Sequence, residues 1–131
     1  MPLKLSLKPG ETFIVNGAVV RNGERRGILL LENQARILRE KDIMQPEDAN
    51  TPTGRAYFAI MQMYLLGDSE GAGYDQACEA LADLAPTDAD LAMALSREVA
   101  SGNLYKALSR CRKALAAEGR NIAPAREVSH G

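Results

Sequence analysis

The stretch TFIVNGAVVRNGERRG, residues 12–27, decides how this chain is read. It holds two Asn-Gly pairs, Asn16-Gly17 and Asn22-Gly23, within eight residues. Asn-Gly supplies the positive φ angles that tight type I′ hairpins require, so the pairs mark antiparallel turns between short strands. The runs beside them, Thr12–Val15 and Ala18–Arg21, carry the β-branched residues such strands favour. Upstream, Leu3, Leu5 and Leu7 alternate with Lys4, Ser6 and Lys8, the two-residue period of a half-buried strand, before Pro9-Gly10 punctuates. Downstream, residues 27–32 and 35–40, joined by Asn33-Gln34, read as a further hairpin. Leu29, Leu30 and Leu31 are consecutive, which calls for a strand covered on both faces, by helices or by another subunit. Residues 1–45 are therefore expected to form a small antiparallel β meander or barrel-like sheet.

Beyond a polar connector at 45–50 the period turns helical. Thr51-Pro52 opens the first helix, with Thr as N-cap and Pro in the first turn. Residues 53–66 (TGRAYFAIMQMYLL) are apolar nearly all round. Met61 and Met63, two apart, cannot share a helix face, so burying both needs a central helix or a subunit interface. A Gly-rich acidic loop at 67–73 leads to a helix at 74–84. Pro86-Thr87 ends it, and Thr87 with Asp90 resembles a capping box for a third helix running to Ala100. A fourth starts at Asn103 and stops at Gly119. On it Leu104, Leu108, Cys111 and Leu115 form an apolar stripe opposite Lys106, Arg110 and Lys113. The expected architecture is α+β, a β-rich part at 1–45 and about four helices at 51–118, with a disordered tail at 119–131.

Residues suited to catalysis are scarce. The only histidine, His130, falls in that tail, and Cys78 and Cys111 lie too far apart for a CxxC pair, so neither a zinc site nor a cofactor is expected. No GxSxG elbow or GxxxxGK[ST] loop occurs. Asp88 and Asp90 fit the first turn of a helix, where negative charge complements the macrodipole, better than a catalytic dyad. The reading is a non-enzymatic protein. The N-terminus lacks a secretory pattern, and the longest apolar stretch, 56–66, is short of the ~20 residues of a membrane span, which points to the cytoplasm.

Charge is more informative than chemistry. The net charge of -1 and a pI near 5.9 argue against an avid nucleic-acid coat. Yet residues 1–45 hold eight Lys/Arg against five Asp/Glu, an excess of three, whereas residues 68–90 hold seven acids and no base. Arg21, Arg25 and Arg26 gather around the second Asn-Gly turn. With Arg36, Arg39 and Lys41 from the next strand they are the candidate phosphate-binding set. Tyr57, Met61, Tyr64, Tyr105 and Arg112, on or beside the apolar helix faces, are the candidate partner-facing set.

Three blocks make the N-terminal half specific: MPLKLSLKPGE (1–11), NGAVVRNGERRG (16–27) and LREKDIMQPE (38–47). In this order and spacing they resemble the FlbT family of bacterial flagellar biosynthesis regulators. The likeness runs from Pro2 through Glu47, resumes at Thr51-Pro52, Tyr57-Phe58 and Tyr64, and again at LYKAL (104–108) with Arg112. Nothing between Gly67 and Asp90 is specific to the family. The resemblance implies a post-transcriptional regulator, typically a repressor. Such a protein binds the 5′ untranslated region of flagellin messenger RNA and alters its translation and lifetime, with a small flagellar protein, FlaF, as partner. The alternative is a protein-interaction module that reaches the messenger only through FlaF, flagellin or a nuclease. The two-sided apolar elements add the expectation of a homo-oligomer, a dimer.

Overall fold

In the computed structural model, which describes residues 3–67 and 71–119, Asn16 and Gly17 take φ of 50° and 87°. Two successive left-handed residues are what a two-residue hairpin demands, and Gly17 meets that demand without a Cβ penalty. The described elements follow as β1 (Leu3–Leu7), β2 (Thr12–Val15), β3 (Ala18–Arg21), β4 (Gly27–Leu31), β5 (Ile37–Arg39), α1 (Pro52–Leu66), α2 (Ala72–Leu84), α3 (Ala89–Ala100) and α4 (Leu104–Ala117). Two short 3-10 turns, Glu40–Asp42 and Pro46–Asp48, occupy the connector. The architecture is α+β, strands first and helices after. The expected tail beyond Gly119, His130 and the acids Asp68 and Glu70 lie outside the described residues.

The strands do not form one meander. β2 pairs antiparallel with β3 and with β5, giving the order β3-β2-β5, while β1 pairs antiparallel with β4 as a separate ribbon. The expected hairpin between 27–32 and 35–40 is thus replaced: β4 returns to β1, with Leu3 opposite Leu31 and Leu7 opposite Gly27, and β5 joins β2. Asn22-Gly23 makes no hairpin either. Its Asn22 side chain donates to the carbonyls of Lys8 (2.7 Å) and Arg25 (2.9 Å), and Gly23 accepts from Gly10 N (2.8 Å). Those bonds turn the segment into a clamp between the two sheets.

α1 sits at the centre, packed on both α2 and α4, while α3 packs on α2 and α4. Thr51 caps it by accepting from Gly54 N at 3.0 Å. Ala56, Tyr57, Ile60, Met61 and Met63 are all buried, so the two methionines are accounted for by a central helix. Met61 sulfur even accepts from Met44 N (3.3 Å). Ile14, Leu38 and Met44 join the same core from the strand side. The α4 stripe of Leu104, Leu108, Cys111 and Leu115 is buried as its spacing requires. Cap chemistry at α3 differs from the expectation: Asp88, not Thr87, is the N-cap, accepting from Leu91 N at 3.1 Å. Among the two cysteines, Cys111 is buried and Cys78 exposed. The Cys78 side chain follows Ala77, which takes the inward position on α2.

Two tyrosines on α1, at 57 and 64 and hence two turns apart on one face, bind the helix to the strands. Tyr57 hydroxyl donates to Asp42 O at 2.6 Å. Tyr64 hydroxyl accepts from Ile37 N (2.9 Å) and donates to Ile37 O (3.1 Å), serving both backbone groups of one β5 residue. Replacing that hydroxyl leaves both without the partner they have here. Tyr64→Phe is therefore expected to lower stability by about 1–3 kcal/mol. In urea denaturation the midpoint should fall with the slope unchanged.

Candidate nucleic-acid interface

The cations nominated from sequence do not share one fate. Arg21 ends β3, and Arg25 and Arg26 stand in the clamped segment before β4; all three are exposed. Because Asn22 is bonded to Lys8 O, Lys8 is drawn to the same region. Lys8, Arg21, Arg39 and Lys41 line one open groove of about 1090 Å³ that also contains Glu11 and Glu40. Lys8 was not singled out from sequence; it lies 13 positions from Arg21 (21 minus 8), and a tertiary hydrogen bond places it.

Arg39 is largely committed. Its Nε and Nη2 donate to Glu11 Oε2 (3.0 Å) and Oε1 (2.8 Å), a fork-on-carboxylate pair joining β5 to the β1–β2 turn. Nη2 also donates to Ser6 O. The guanidinium's hydrogen bonds hold the Glu11 carboxyl below its ordinary range, and the same pair raises Arg39. Arg36 is used differently. Its guanidinium lies against Gly67, the left-handed residue (φ 68°) that ends α1, where a Cβ would meet Cζ at 2.9 Å. A cation there complements the carbonyl end of the helix. Glu40 accepts from Thr12 N (2.7 Å), leaving exposed Lys41 beside it at the groove wall.

The partner-facing set also divides. Tyr57 and Met61 are buried in the chain's own core, which corrects the expectation that they face a partner: α1 is surrounded by α2, α4 and the strands. Burial pushes the Tyr57 hydroxyl well above its ordinary range. Tyr64, Tyr105 and Arg112 come together instead. The ring centroids of Tyr64 and Tyr105 are 5.8 Å apart, tilted by 48°, and Arg112 Cζ stands 5.4 Å from the Tyr105 centroid. Arg112 Nε reaches Asp42 Oδ1 at 3.6 Å.

No group of three or more His, Cys, Asp or Glu able to hold a metal occurs among the described residues. Burial raises the Cys111 thiol to about 12, so it stays protonated and unreactive. Arg110 forks onto Glu98 (2.9 and 2.8 Å), an α4–α3 tie.

Fold and surface together define a small α+β protein with a cationic groove and a separate tyrosine–arginine cluster. No helix among the described residues is long and apolar enough to cross a membrane. The family model described as "Flagellar protein FlbT" matches residues 3–122. A probable flagellum biosynthesis repressor protein FlbT of Caulobacter sp. (strain K31) is 45% identical over 127 residues, covering 93% of this chain and 97% of the relative. The flagellum biosynthesis repressor protein FlbT of Caulobacter vibrioides (strain ATCC 19089 / CIP 103742 / CB 15) is 46% identical over 129 residues, with 93% and 90% covered. A probable repressor of the same name from Rhodopseudomonas palustris (strain TIE-1) is 39% identical over 114 residues, with 86% and 90% covered. No solved structure matches the chain. The chain belongs to the FlbT family.

A carboxyl whose folded pKa is depressed stabilises above its unfolded value and loses that contribution as pH falls through the folded one. Glu11, with an ordinary value of 4.5, should therefore make wild type more stable than Glu11→Gln above that pH. Denaturation across a pH series should show the gap shrinking below about 4.5.

Proposed function

We propose that this chain regulates flagellum biosynthesis after transcription by binding the 5′ untranslated region of flagellin messenger RNA in the cytoplasm. The observation that carries this reading is the convergence of Lys8, Arg21 and Lys41 in one groove, beside the exposed Arg25 and Arg26. Relatives bearing the repressor name supply the flagellar context and the sign of regulation. The groove fits single-stranded or looped RNA, whose phosphates are held by cations spaced along a concave surface. Glu11 and Glu40 in the same groove keep the number of productive phosphate contacts small. Three to four contacts correspond to a salt slope of about −2 to −3 on a single strand. Mobility shift of a flagellin leader RNA should weaken with salt at that slope. Arg25→Ala with Arg26→Ala should weaken binding and flatten the slope by about 1.4, roughly 0.7 for each cation removed. Unchanged binding in the double variant would remove these two arginines from the surface.

A protein contact is favoured by a separate observation. On one face of the β1–β4 ribbon, Ile28 and Leu30 lie opposite Ser6 and Lys4 and are 61% and 56% exposed. A two-stranded ribbon has too little packing of its own to hold such a surface in water. We read it as the contact between two copies of this chain, with a FlaF-like flagellar protein as the competing occupant. Light scattering on the purified protein should give a dimer, and Ile28→Lys with Leu30→Lys a monomer. A wild-type monomer that captures FlaF through this ribbon would hand the surface to the partner.

A further inference from the structure

We propose that Tyr105, backed by Arg112 and Tyr64, is a stacking platform for an unpaired nucleobase. This inference rests on the RNA-binding reading above and adds to it a site that recognises bases rather than phosphates. Leu104 and Leu108 turn inward on α4, which leaves Tyr105 between them on the outer surface, 50% exposed. An aromatic side chain needed only for packing would be covered. This one is held in place without being covered. Arg112 stands over its ring, and Tyr64 braces its side.

Both supports are themselves anchored. Tyr64 is fixed by its two bonds to Ile37, and Arg112 lies between Asp42 and Tyr57. A ring pre-positioned in this way loses little freedom when a base stacks on it, and a cation on a tyrosine face strengthens such stacking. The surroundings are polar as well. On the other side of Tyr64 opens a cleft of about 760 Å³, not lined by Tyr105 itself, in which Asn33 and Gln34 offer amide donors and acceptors beside Glu32 and Arg36. Arg36, which lines the cleft, precedes β5, and Arg39, which lines the cationic groove, ends it, so one strand joins the two.

The probe is a fluorescein-labelled oligouridine of about twelve nucleotides, within the span of a small single-strand site. Tyr105→Ala should weaken its binding roughly tenfold or more while leaving the salt slope at the wild-type value, because stacking releases no counterions. Tyr105→Trp should restore binding, and thermal denaturation of all three proteins should show the fold retained. Photo-cross-linking with 4-thiouridine in the same oligomer should mark the peptide that contains Tyr105, a readout independent of any variant. Wild-type affinity in a folded Tyr105→Ala protein, or cross-links confined to the peptides of the cationic groove, would overturn the platform and leave the RNA reading standing. Loss of capture of a protein partner with RNA binding intact would overturn it in favour of a protein contact. Absence of salt-sensitive RNA binding by wild type would overturn both readings together.

Discussion

The arrangement depends on one interaction: the face of α1 on which Tyr57 and Tyr64 bind the backbone of the strand half. A hydroxyl at each end of two helical turns holds Asp42 and Ile37, and β5 is thereby locked onto α1 while it pairs with β2. β5 is only three residues long, too short to be kept in place by its ladder with β2 alone. Its buried Ile37 and Leu38 complete the junction. Apolar packing supplies most of the driving force, and the two hydroxyls select one register by satisfying groups that a shifted strand would leave bare.

The same junction sorts the cations. Arg36 and Arg39 come from the ends of β5, and each has a structural task, one at the carbonyl end of α1 and one on Glu11. Arg21, Arg25 and Arg26 stand at a connection that no helix covers, so their charge is left to the solvent. An arginine's worth to a ligand is therefore set by what its neighbours already claim. Formal charge over residues 1–45 overstates the attractive field, because Glu11 lies in the groove beside the arginine it neutralises.

Much of the helical half was legible in advance. Thr51 and Pro52 cap α1 as their chemistry requires, and the 104–108–111–115 stripe is buried as its period requires, since both signals act within a few residues. The Asn16-Gly17 hairpin was legible for the same reason. The second Asn-Gly pair was not, because Asn22 finds better partners in the carbonyls of Lys8 and Arg25 than in a tight turn. The pairing of β4 with β1 rather than β5 was hidden too. Leucine-rich strands with no distinctive cross-strand partners pair equally well on paper, and the choice is made by where the clamp and α1 put their ends. Of the candidate partner-facing residues on α1, Tyr57 and Met61 looked the same as Tyr64 because an all-round apolar helix gives no sign of which side is covered.

By itself, the sequence determined the elements, their order, their α+β class and the family. Those follow from local backbone preferences, from the period of apolar residues and from long runs of matching residues. Only the tertiary structure decided the two-sheet topology, the division of arginines between structure and surface, and the meeting of Tyr64, Tyr105 and Arg112. Apart from Tyr105 and Arg112, two turns apart on α4, these rest on contacts between residues 20 or more positions apart, such as Asn16 with Arg36, Ile37 with Tyr64 and Tyr64 with Tyr105, and no local preference encodes them.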